Sequence, residues 1–126
     1  MTDPRELIAV LLELNATEER SVASFTPGLV GMFGSLALMN RFLADIDVAL
    51  VKGSISAPLK ARSKNLTRTF IPQMAGINSI TDLSKVEVSA EKLRTVCSDS
   101  HESRGEGVKA ILAALISILD SACNIN

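Results

Sequence analysis

A catalytic or metal centre needs several titratable side chains on one face, and this sequence offers few. It holds one histidine, His101, with Cys97 four residues before it and Asp99 and Glu102 adjacent. On a continuing helix, a thiol and an imidazole at i,i+4 share a face, as a nucleophile–base pair or half a metal site requires. A complete metal site would also need Cys123 or a distant carboxylate. Bare Cys/His spacings often carry no chemistry. The expectation is therefore a buried Cys97, an exposed loop histidine, no catalytic residue, no metal and no cofactor. Cys97 and Cys123 have no metal-type spacing. One disulfide or two free thiols are both open, and two buried thiols are the plainer reading.

Two other patterns invite a ligand. Gly28, Gly31 and Gly34 resemble a phosphate loop but lack the Lys-Ser/Thr ending and a preceding strand. Close helix–helix approach is the better expectation for them. From Val48 to Thr81 there is no acidic residue, while Lys52, Lys60, Arg62, Lys64 and Arg68 are basic. Lys60, Lys64 and Arg68 form an i, i+4, i+8 stripe. Without aromatic residues to stack on bases, the stripe reads as a solvated helix face. The net charge of −1 adds no argument for nucleic acid.

The elements that would position these groups are helices. The chain has 126 residues, is 47% hydrophobic, and carries no Trp, no Tyr and four Phe. A core drawn from Leu, Ile, Val, Ala and Met suits helix better than sheet. Asp3-Pro4-Arg5-Glu6 is a capped start, followed by Leu7, Leu11 and Leu14 on one face. That helix either breaks at Asn15–Thr17 or continues to about Ser24. Thr26-Pro27 opens a second helix, expected to run unbroken to Lys52 and close at Gly53. Along it Leu29, Leu36, Leu43 and Leu50 recur every seven residues, with Met32, Met39 and Ile46 three further on. This is an a/d seam. Arg41, Asp45 and Lys52 mark its narrow polar edge.

Ser56 and Pro58 open a third helix with Leu59, Leu66, Phe70, Met74 and Ile77 inward. Pro72 predicts a kink or break. Residues 78–88 are ambiguous. Ser89 opens a short helix that turns Leu93, Val96 and Cys97 inward. Residues 98–107 read as a loop. The last helix runs from about Glu106 to Cys123, apolar nearly all round, with Lys109, Ser117 and Asp120 as its thin polar line. The expectation is an all-α, single-domain bundle over 1–126, of about five helices with two central apolar ones. Neither apolar helix reads as transmembrane. The last is too short, and the second carries Arg41, Asp45 and Asp47.

Those two apolar helices carry the functional expectation. An aliphatic bundle rich in Met can leave a cavity for an apolar small molecule such as a fatty acid. Met32, Phe33, Leu36, Met39 and Leu43 would line it from the second helix. Phe70 and Met74 would line it from the third, and Leu112, Leu115 and Ile116 from the last. Arg41, Lys64 or Arg68 would anchor a carboxylate at its mouth. The alternative is a structural or adaptor protein that self-associates or binds a partner helix through the Leu seam or the outer side of helix 27–52. Both expectations are non-enzymatic.

The order of a capped first helix, Ser24-Phe25-Thr26-Pro27-Gly28, a Leu-rich helix, Phe70-Ile71-Pro72 and a final apolar helix resembles the fungal hydrophobic surface-binding and cell-wall mannoprotein bundles. The resemblance implies a secreted protein that binds lipid or apolar surfaces. The chain departs from that pattern in its polar loop 98–107 and in an acidic start, Met1-Thr2-Asp3-Pro4, unlike a signal peptide. Without the resemblance, a cytoplasmic location is the default expectation.

Overall fold

The computed structural model describes all residues except Met1, Glu18, residues 76–82, Ser84 and Asn126. Ile77 and most of the ambiguous stretch therefore lie outside the described residues. The rest is an all-α bundle of seven helices among the described residues, with no strand among them.

Helix α1 spans Pro4–Asn15, with the Asp3 carboxylate accepting from the Arg5 N–H and Pro4 in the first turn. It stops at Asn15, the earlier of the two expected ends. Asn15 is buried, and its Oδ1 accepts the Val22 N–H at 2.8 Å. That bond supports the start of α2, a single turn over Val22–Phe25 capped by Ser21. Pro27 then disfavours helical backbone at Thr26. The Thr26 hydroxyl closes the turn by donating to the Val22 carbonyl at 2.9 Å.

The expected helix 27–52 is two helices. α3 covers Pro27–Phe33 and α4 covers Leu36–Lys52, and the pair bends by 77°. Gly34 takes φ 93°, which stops α3, and Ser35 is extended with its Oγ accepting from the Leu38 N–H to start α4. A left-handed residue followed by a capping serine is a local stop-and-start signal. It prevails over the heptad pattern, because a seam can drive helix continuity only where a partner lies along its whole length. Phe33 and Phe42 meet across the corner with ring centroids 5.2 Å apart. The Arg62 guanidinium sits 4.9 Å from the first ring and 5.3 Å from the second. α4 ends at Gly53 as expected.

Pro72 does not break its helix. α5 starts at the expected Ser56 cap and runs through Ala57–Asn65, a π-helical turn at Leu66–Phe70, and Ile71–Ala75. The Ile71 N–H bonds the Leu66 carbonyl, one residue further back than in an α-helix. A proline ring clashes with the carbonyl four residues earlier. Widening the preceding turn moves that carbonyl aside, so the chain bulges instead of stopping.

Ser89 caps α6, Ala90–Val96, which buries Leu93, Val96 and the adjoining Cys97 as expected. α7 runs from Arg104 to Cys123, two residues earlier than the expected start. Ile111, Leu112, Ala113, Ala114 and Leu115 are consecutive and all buried. Five successive buried positions go round more than a full turn, so the middle of α7 is covered on every side. It packs against α1, α2, α4, α5 and α6. The expected pair of central helices is therefore one. α4 buries Met39, Leu43 and Ile46 but exposes Leu38, Val48 and Val51 on its other side.

The expected close approach at Gly28, Gly31 and Gly34 lies elsewhere. A Cβ on Gly28 would meet only ordinary contact, and one on Gly31 would meet nothing within 4 Å. Gly107 is the tight point: a Cβ there would lie 2.5 Å from Phe25 Cε1 and 3.2 Å from the Val96 carbonyl. It lets α7 pass between α2 and the end of α6.

Candidate interaction surface

The groups with chemical potential are separated or engaged. Helix α6 ends before it can carry Cys97 and His101 on one face. Cys97 is wholly buried, and its Sγ lies 3.9 Å from the Gly107 carbonyl as a weak donor. Burial pushes its thiol up to about 11. His101 lies in the loop with its Nε2 at 2.8 Å from Glu106 Oε2. Cys123 is also a free thiol. Burial raises its pKa most and Asp120 adds to that, while Lys64, Arg68 and Lys60 oppose them. Among the described residues, no cluster of three His, Cys, Asp or Glu side chains is placed to hold a metal ion.

The basic stripe has a structural partner. Lys60 Nζ donates to the Ile125 carbonyl at 2.7 Å, and all three stripe residues act on Cys123. The stripe thus borders the C-terminal end of α7, where unpaired carbonyls and the helix dipole favour cations. Lys64 and Arg68 are placed there, whereas Arg41 is exposed on the outer side of α4.

The expected apolar lining is distributed through the bundle. Phe33, Met39, Leu43, Leu112 and Leu115 are buried core residues. Met32, Leu36 and Phe70 are half-buried against that core. Met74 is 39% exposed. Of the expected lining, Ile116 alone borders a cleft of about 620 Å³ whose other walls include Leu83, Val88, Lys92 and Asp120.

The exposed apolar surface is on α4. Leu38, Val48 and Val51 are 51%, 49% and 60% exposed. At about 100° per residue, they fall with Ala37, Arg41, Ala44, Asp45 and Lys52 in one arc of roughly 140°. All eight are exposed. Beside the C-terminal half of this face lies a groove of about 380 Å³ lined by the apolar Val48, Ala49, Ile55 and Leu59 and the polar Asp45, Lys52, Ser54 and Ser56. Arg41 and Asp45 stand at i,i+4 but form no ion pair with each other; the pairs among the described residues are Arg5–Asp47, Arg20–Asp99, Arg94–Glu13 and His101–Glu106. The outer side of helix 27–52 was legible as a partner surface, but not that Leu38, Val48 and Val51 form its apolar part. Their signal was the apolar spacing out of phase with the Leu repeat.

No single helix among the described residues is long and apolar enough to cross a membrane; only the bent pair α3 and α4 reaches that length and composition together. Compared with known protein families, curated proteins and solved structures, the chain matches none. The comparisons thus hold nothing specific to the fungal surface-binding bundles.

Proposed function

We propose that this chain is a non-enzymatic structural or adaptor module that works by docking a helix of another protein molecule against the outer face of α4. The observation that carries this reading is the exposure of Leu38, Val48 and Val51 on one side of a helix whose opposite side is fully buried. Apolar side chains that share one face of a helix beside a groove favour a partner that removes them from water. The Leu seam itself is engaged in the core, with Leu29, Met39, Leu43 and Ile46 at or below 1% exposure. Association is therefore assigned to the outer side of the helix.

A second reading, binding of an apolar small molecule, is favoured by the cleft of about 620 Å³ at Ile116, whose wall includes Lys92, with its Nζ donating to the Glu87 carbonyl at 3.0 Å. One experiment separates the two. An apolar fluorescent dye is titrated onto dilute protein, onto Leu38→Asp/Val48→Asp, and onto Ile116→Asp. The docking reading expects the dye signal to fall at least severalfold in the α4 variant alone, with unchanged circular dichroism. Equal dye binding by the α4 variant and its parent would sink it. Loss in Ile116→Asp alone would move the function to the cleft.

A further inference from the structure

We infer that the partner α4 receives is a second copy of this chain, packed antiparallel across a two-fold axis at the level of Leu43. This inference rests on the docking reading and names its occupant.

The argument is self-complementarity. A two-fold interface presents the same patch on both sides, so residue i meets residue j and j meets i. In an antiparallel helix pair the two numbers have a constant sum. Leu38 and Val48 lie equally far on either side of position 43, and so do Arg41 and Asp45. One register therefore satisfies both pairs. It sets Leu38 of each copy on Val48 of the other, and Arg41 of each copy beside Asp45 of the other. All four side chains are exposed in the single chain. Neither charge forms an ion pair within it among the described residues.

Shape agrees with charge. Leu38 projects at one end of the face as a knob, 51% exposed. The groove that Val48, Ala49, Ile55 and Leu59 help to line opens at the other end. Along a helix, ten residues separate the two by about 15 Å. The antiparallel register brings each knob to the other copy's groove at that same spacing. The small side chain of Ala44, next to the axis, leaves room for the helices to approach. A parallel pairing would set Arg41 against Arg41 and Asp45 against Asp45, which like-charge repulsion opposes.

Charge exchange tests this arrangement. Sedimentation velocity is measured on the unmodified chain, on Arg41→Glu, on Asp45→Lys, and on an equimolar mixture of the two variants. Both substituted positions are exposed, and circular dichroism checks that each variant folds. The unmodified chain is expected to dimerise. Each variant alone carries two repulsive pairs, and its dimer is expected to weaken by about tenfold or more. The mixture restores two attractive pairs and is expected to recover a heterodimer close to the unmodified affinity.

A dimer insensitive to these changes overturns the inference, as does a mixture that fails to recover. An unmodified chain that stays monomeric at its highest soluble concentration also overturns it. If that monomer still binds apolar dye through Leu38 and Val48, the docking reading survives and only the second copy is wrong. If dye binding is also indifferent to those residues, both fail.

Discussion

Asn15 does more for the fold than its side-chain size suggests. Its Oδ1 holds the Val22 N–H at 2.8 Å, and its Nδ2 donates to Asn40 Oδ1 at the same distance. One buried amide thus supports the α1–α2 turn and ties it to α4. Asn15→Ala leaves the buried Val22 N–H without its acceptor, which costs about 1–3 kcal/mol. Urea denaturation should show that loss, and Asn40→Ala should cost less because the bond to Val22 remains. Cys97 makes a second prediction, in pH. Its folded pKa, about 11, lies above the unfolded value of about 9. The folded state therefore keeps a proton that the unfolded chain gives up. The resulting stability is complete below pH ~9 and is lost as pH rises toward ~11, by no more than about 1.4 kcal/mol per unit. Cys97→Ala should flatten that alkaline slope in denaturation midpoints. At neutral pH a thiol reagent should modify Cys97 only as fast as the native structure opens.

Among the elements, the tightest contact is the start of α7. Gly107→Ala forces Phe25 or the end of α6 to move, and overpacking of this kind costs about 1–3 kcal/mol. The same change at Gly31, where a Cβ has open space, should be neutral or stabilising through helix propensity. Thermal melts of the two variants compare them directly. The helix starts at Asp3, Ser56 and Ser89 and the stop at Gly53 were legible in sequence because caps act through bonds a few residues long. The corner at Gly34-Ser35 was written in the same local terms, but the longer Leu repeat masked it. The π turn before Pro72 was not legible, since a proline shows where a clash falls and not whether the helix breaks or bulges. Gly107 escaped notice because its requirement comes from Phe25, more than eighty positions away. The candidate surface was half legible. The apolar residues of α4 were in view, but which side faces water depends on where α1 and α7 lie.

At the scale of the whole molecule, stability and association draw on opposite sides of one helix. Met39, Leu43 and Ile46 fasten α4 to the bundle, while Leu38, Val48 and Val51 remain for a partner. Substitutions on the outer side should therefore change assembly without changing the melting temperature of the single chain. Those on the inner side should do the reverse at low concentration. The position of α7 has a consequence for how the molecule comes to exist. Translation delivers α7 after the other six helices, yet it is the helix that five of them pack against. Until it joins them, α1 can pack against α4 and α6, but the helices lack the one element that they share. The native architecture therefore closes only when α7 joins, which makes its docking a late step in folding however the earlier helices have paired.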